Sequence, residues 1–377
     1  MLDGKRICVC AGSGGVGKTT TSAAIALGMA AKGAKVAVVT IDPAKRLANA
    51  LGLEELHNDP RRVEPERLAA GGLKVDGELW AMMLDPKRTF DELIERAAQT
   101  PERAEEIKAN RVYSELSTAV SGSQEFTAVA KLYDLDQEHE FDLLVLDTPP
   151  SRNALDFLDA PQRLNSFLEG RALQALMRPT GVGMRVLGRG ASPLLAGLRR
   201  LTGVDLVTDL ATFFGLLGDM TADFTARAQQ VERLLRAPTT AFLLVSSAER
   251  EPIDEAIWFH RTLARTGLPF AGVVVNRVHH DLLLGSEPAD VGTALRRTAL
   301  SPDLAARVAD NFRDYHLLAR RDDHNVARLE KALGRHPLLM VPQLDDDVHD
   351  LEGLLKMHRY LFATDAERER LIAQLVA

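Results

Sequence analysis

The chain has 377 residues, 46% of them hydrophobic and 26% charged, and a net charge of −7. That length suits one large α/β domain with an insertion, or two domains, and the composition excludes disordered and collagen-like chains. The acidic balance argues against a nucleic-acid partner. No run of about 18 apolar residues is present to cross a membrane. The opening MLDGKRICVCAG lacks the basic flank, longer apolar core and cleavage site of a signal peptide, so a cytoplasmic location is expected. Only two cysteines occur, Cys8 and Cys10. Two positions apart on the first expected strand, they are expected to point to opposite faces and not to pair. Two thiols exclude a four-cysteine zinc or iron–sulfur centre within one chain.

In chain order, residues 6–11 form a short apolar run ending in a glycine-rich turn, and 18–32 have helical character. Lys35–Thr40 is β-branched and apolar on both faces, as in a buried parallel strand. This β–loop–α–β start predicts a doubly wound, mainly parallel α/β sheet. Further strands are predicted at 79–84, 142–146, 241–246, 271–275 and 338–341, with helices between. His260 and His358 fall on the apolar stripes of two of those helices and are read as packing histidines. The predicted organisation is a nucleotide-binding core at 1–160, a helical subdomain at 161–236 and a second part of the core at 237–377. That second part includes a helical stretch at 289–334.

Gly12-Ser13-Gly14-Gly15-Val16-Gly17-Lys18-Thr19 fits the pattern G-x-x-x-x-G-K-[ST]. Glycines let successive backbone N–H groups turn inward around phosphates. Lys18 supplies a point charge for the β- and γ-phosphates, and the Thr19 hydroxyl can ligate Mg²⁺. The helix that begins here, with Thr20 in its first turn, aims its positive end at the anion. Guanine-specific enzymes carry Asn-Lys-x-Asp after a core strand. Here that place reads Val275-Asn276-Arg277-Val278-His279, with no aspartate three residues after Asn276, so ATP is the expected nucleotide. The Asn276 amide is a candidate for hydrogen bonding to adenine.

Asp42 follows one predicted strand and Asp147 another. Loops at the carboxyl ends of parallel strands converge on the ligand. Asp147, after the run LLVL, fits the Mg²⁺-supporting acid, and Asp42 fits the residue that orients the attacking water.

GSGGVGKTT, TIDPAKRLANALG, DTPPSRNALDFLDAP and VVVNRV, in that order, resemble the arsenical pump ATPase family. That family includes the ATPases that deliver tail-anchored membrane proteins. The resemblance implies an ATP-dependent dimer, homodimeric or paired with a related ATPase, with nucleotides at the subunit interface. It implies the water-orienting role for Asp42 and a second switch at 147–151. It also aligns 161–236 with a helical subdomain that in targeting members lines an apolar groove. Three departures stand out. Ser13 occupies the place of a lysine that reaches the partner's nucleotide, so Lys45, Arg46 or Arg152 is a candidate substitute. The C-x-x-C pair that clamps many targeting dimers through zinc is absent. There are no cysteines to hold arsenite.

Between Arg163 and Arg200 lie seven arginines against one acid, Glu169, with methionines and leucines among them. Such a segment suits an apolar protein client or a membrane-associated partner, or a helical pair covering the sheet. The C-terminal stretch opens with a capping-box pattern, Thr364-x-x-Glu367, and is expected to dock on the protein body. The expected function is a Mg²⁺-ATP-driven switch. A nucleotide-binding subunit with little hydrolysis, and a kinase or ligase on the same fold, are the alternatives.

Overall fold

The computed structural model describes residues 1–42, 45–70, 72–111, 113, 123–148, 220–282, 288–298 and 300–376. Residues 161–219, the bulk of the expected helical subdomain, lie outside the described residues, and so does 149–152 with Arg152. The chain divides into two units, Met1–Met83 with His139–Ala154 and Arg236–Ala377, and Leu84–Glu138 with Leu155–Leu235. Leu84–Glu138 thus belong to the second unit.

In the first unit, β1 (Ile7–Ala11), α1 (Lys18–Ala31), β2 (Lys35–Thr40), α2 (Arg46–Ala50), β3 (Arg61–Arg62), α3 (Pro65–Ala70) and β4 (Glu78–Met83) come first. The second unit then contributes α4 (Pro86–Ala97), α5 (Pro101–Lys108) and α6 (Ser123–Gln137). After β5 (Leu143–Asp147) come α7 (Thr221–Arg236), β6 (Thr240–Ser247), α8 (Arg250–Thr266) and β7 (Phe270–Val278). The chain continues through α9 (Pro288–Leu295), α10 (Pro302–Leu333), β8 (Leu338–Pro342), α11 (Leu351–Phe362) and α12 (Asp365–Val376).

The strands form one eight-stranded sheet in the order β3-β4-β2-β5-β1-β6-β7-β8. Every pairing is parallel except β3 with β4. All seven predicted strands are present. The unpredicted one, β3, is two exposed arginines with no strand pattern, placed by antiparallel pairing to Ala81 and Trp80 of β4. The central strands are buried along their whole length, which is why they read as continuous apolar runs.

Cys8, Cys10, Val38, Val145 and Leu243 pack in one core with Ala23, Ala24 and Leu27 of α1 and Leu354 and Leu361 of α11. The expectation that Cys8 and Cys10 face opposite ways therefore fails, because residues two apart on a strand share a face. Their sulfurs lie 3.9 Å apart, both buried, and both thiols are free. The Cys8 thiol is pushed well up by its hydrogen bond with Cys10 and by burial.

The expected helical stretch at 289–334 is two helices. Ser301 caps the second by accepting from the Leu304 N–H at 3.4 Å, Pro302 follows at its first position, and Gly334 ends it. His260 packs in one ring cluster with Phe270, at 4.6 Å, and His336, at 5.1 Å, and His358 stacks on Phe362 at 4.9 Å. Burial holds both imidazoles below their usual range. The capping box closes as predicted: the Thr364 N–H donates to Glu367 at 2.8 Å, and the Glu367 N–H to the Thr364 hydroxyl at 3.3 Å. Leu371 and Ile372 of α12 then pack on the core. No described helix is long and apolar enough to cross a membrane.

In the second unit, the Asp85 carboxylate caps α4 through the Arg88 N–H at 3.1 Å, and the Thr100 hydroxyl caps α5 through the Arg103 N–H at 3.3 Å. Lys131 pairs with Glu92 at 2.9 Å, joining α6 to α4. Tyr113, itself buried, donates to Asp91 at 2.5 Å.

Candidate functional site

Because the sheet is parallel, the loops after β1, β2, β5, β7 and β8 emerge at one end. The loop after β1 runs over Gly12–Gly17 and leads directly into α1. Gly17 caps that helix in a left-handed conformation, φ 92, with no side-chain cap, so the first-turn N–H groups keep their donors for an anion. A Cβ on Gly17 would strike the Asn276 amide nitrogen, and one on Gly12 would strike the Val245 carbonyl oxygen. The loop is thus wedged between β6 and β7.

Lys18 is buried, and its ammonium donates to the carbonyls of Gly12 at 2.9 Å and Ser13 at 2.6 Å. Desolvation lowers its pKa, while the carboxylates of Asp147 and Asp42 push it back up. A cation held on the loop's own carbonyls this way is ready to meet phosphate oxygens.

Asp147 ends β5 in register with Cys10 of β1 and Thr40 of β2. Its Oδ2 accepts from the Thr19 hydroxyl at 2.7 Å and from the Thr40 hydroxyl at 2.9 Å. Its Oδ1 is buried with no hydrogen-bond partner among the described residues. Burial raises this carboxyl to about 6, helped by Asp42 and opposed by Thr19, Thr40 and Lys18. A buried acceptor left without a donor is costly. One free carboxylate oxygen beside a threonine hydroxyl is the oxygen chemistry that Mg²⁺ takes, so these residues fit that ion.

Asp42 follows β2. Its N–H donates to the Thr40 hydroxyl at 3.2 Å, and its carboxylate lies 4.0 Å from Arg46 Nε. Of the three cations nominated in place of the missing lysine, Arg46 lines the site. Lys45 pairs with Glu55 at 3.0 Å, and Arg152 lies outside the described residues. Ser13 is not free either, since its hydroxyl donates to Glu255 on α8.

Asn276 is nearly buried, and its amide donates to the Val16 carbonyl at 3.0 Å. The second amide hydrogen and the side-chain oxygen give it further capacity for a base. Gly15, Gly17, Lys18, Thr19, Thr20, Asp42 and Asn276 all line one cavity of about 490 Å³. Asp147 sits behind Thr19. Gly14 is exposed on the loop crest, and Val16 is buried, so each offers the site its backbone. Thr40, Glu255 and Arg277 were not singled out from the sequence. The far wall, from Gln343 to His349, was not either. Thr40 alone left a signal, as a hydroxyl closing an otherwise apolar strand next to Asp42.

A family model for anion-transporting ATPases matches residues 5–321. The chain is 25% identical to the ATPase get3 of Schizosaccharomyces pombe over 309 residues, 81% of this chain and 82% of that protein. It is 24% identical to a putative arsenical pump-driving ATPase 1 of Aquifex aeolicus over 373 residues, 96% of this chain and 79% of that protein. With the ATPase GET3 of Malassezia globosa it shares 30% identity over 172 residues, 45% of this chain and 46% of that protein. With that match reaching from the strand before the phosphate loop through most of the long helix α10, the chain belongs to the anion-transporting ATPase family.

Proposed function

We propose that this ATPase is a Mg²⁺-dependent switch that works in the cytoplasm as a dimer, homodimeric or paired with a related ATPase. ATP binding and hydrolysis govern its hold on an apolar protein client or a membrane-associated partner. The observation that carries the nucleotide half is the Asp147 carboxylate, buried, held by Thr19 on one oxygen and open on the other.

In this reading the backbone amides of Gly14, Gly15, Val16 and Gly17 and the side chain of Thr20 wrap the phosphates. Lys18 turns from the loop carbonyls to the phosphate oxygens. Thr19 and Asp147 hold Mg²⁺, which when bound neutralises charge on the transferring phosphoryl group. Asp42 accepts a hydrogen bond from the attacking water and orients it toward the γ-phosphorus. Asn276 reads the adenine. The client half rests on the sequence of 161–236 and on the likeness to proteins named for get3 and for an arsenical pump.

A second reading, a nucleotide-binding subunit with little hydrolysis, is favoured by one contact. The Ser13–Glu255 bond places a carboxylate, not a cation, at the start of the loop. Steady-state ATP hydrolysis by the purified chain separates the two. The switch reading requires Mg²⁺-dependent turnover that is lost in Lys18→Ala and Asp42→Asn. Binding of ATP without turnover in the wild type favours the second reading. Copurification with Asp42→Asn in the presence of ATP tests the client: phosphorylation of a small acceptor, with no protein captured, refutes it.

A further inference from the structure

Asn276 and Arg277 are consecutive, yet both side chains reach the same loop. Asn276 Nδ2 donates to the Val16 carbonyl at 3.0 Å, and Arg277 Nη1 donates to the adjacent Gly15 carbonyl at 3.2 Å. Neighbours on a regular strand face opposite ways. Here β7 carries an irregularity at these two residues, and both contacts form. Arg277 is left-handed, with φ 58, and the register of β7 on β8 shifts between Val275 and Val278. A non-glycine residue in that conformation is strained and persists where the surrounding structure holds it, often at functional sites.

The second arm of the guanidinium, Nη2, lies 3.9 Å from Asp347 Oδ1, on the loop that follows β8. Gly15, Arg277 and Asp347 all line the 490 Å³ cavity. Arg277 therefore spans from the phosphate loop to the opposite wall, with its charged end half-exposed above the space between them. A forked, always charged side chain on a long apolar stem can cover a nucleoside and attract a polyanion at once.

Building on the ATP-site reading above, we infer that Arg277 is a nucleotide-retention residue. It ties the phosphate loop to the wall after β8, and closing these two over a bound nucleotide slows its release. It is a positioning residue and takes no part in the chemical step.

The test is release of a fluorescent N-methylanthraniloyl ADP from the full chain, chased with excess ADP, in wild type, Arg277→Ala, Arg277→Lys and Arg277→Gly. Loss of one charge-assisted hydrogen bond that closes the cavity is expected to speed release about tenfold in Arg277→Ala. The loss should appear in the release rate and in KM for ATP rather than in kcat, and Arg277→Lys should recover part of it. Arg277→Gly relieves the left-handed backbone while deleting the side chain. It should release as fast as Arg277→Ala without melting earlier than wild type, which separates retention from misfolding. Release from Arg277→Ala within about twofold of wild type, or a fall in kcat with KM unchanged, overturns the inference alone. A wild-type chain that binds no analogue overturns the ATP-site reading and this inference with it.

Discussion

Thr40 and Asp147 stand in register on neighbouring strands, and the threonine hydroxyl donates to the buried carboxylate at 2.9 Å. The same hydroxyl accepts the Asp42 N–H at 3.2 Å. One side chain thus links the two acidic positions of the site. Thr40→Val keeps the shape and removes both bonds. A lost hydrogen bond to a charged group is worth about 1.5–3 kcal/mol, so the Mg²⁺ needed for half-maximal hydrolysis should rise at least about tenfold. Thr40→Ser should stay near wild type. A wild-type Mg²⁺ titration in Thr40→Val would show that the hydroxyl has no such role.

The Asp147 carboxyl sits at about 6, against an ordinary 3.8, chiefly because it is buried. The folded protein keeps this proton where the unfolded chain has released it. The group therefore costs stability as pH rises from about 4 to about 6, and the cost is constant above that, about 3 kcal/mol. Asp147→Asn should stabilise the metal-free protein by up to about 3 kcal/mol near pH 7.5 and by far less near pH 4. Urea unfolding at both values checks this, and equal stabilisation at both refutes it. Protons also compete with the cation, so the Mg²⁺ requirement for hydrolysis should climb below about pH 6.

Glu255 places a carboxylate against Ser13 and within electrostatic reach of Lys18. A polyanion entering this loop meets that charge. Glu255→Gln should tighten ATP binding by roughly three- to tenfold at low salt, and the gain should shrink in about 0.5 M salt. Ser13→Lys alone should do little, because the new ammonium would pair with Glu255. Combined with Glu255→Gln it is freed, and the double variant should hydrolyse faster than either single one. A single Ser13→Lys variant as fast as the double would rule out this trapping.

Gly12 has no room for a side chain, because a Cβ there would land on the Val245 carbonyl oxygen. Backbone cannot give way as a flexible side chain does. Gly12→Ala should cost about 2–4 kcal/mol of folding stability and loosen the phosphate loop from β6. Chemical denaturation measures the first effect, and the affinity for ATP measures the second. A variant with wild-type values for both would mean the loop shifts at no cost.

The buried parallel strands were legible because burial on both faces leaves continuous apolar runs such as LLVL before Asp147. The phosphate loop was legible because its chemistry is local: eight consecutive residues make the cradle. What escaped was long-range or positional. Glu255 meets Ser13 across 242 positions, and Arg277 meets Gly15 across 262, so no window of sequence contains either contact. β3 exists only through its neighbour β4. Cys8 and Cys10 share a face because a strand's side chains repeat every two residues, so their common core was legible from their spacing alone. The break between α9 and α10 hangs on Ser301 and Pro302, a start signal inside what reads as one helical stretch.

The site draws one wall from the loop after β1 and the opposite wall from the loop after β8, so its parts run from Gly15 to Met357. A nascent chain still on the ribosome with β8 unsynthesised has the glycine-rich loop but not the surface that faces it. Arg277 then has no Asp347 to reach toward. If Arg277 retains nucleotide as proposed, tight retention is acquired late in synthesis, once the sheet's far edge has formed, and a translation product truncated before β8 should bind nucleotide leakily.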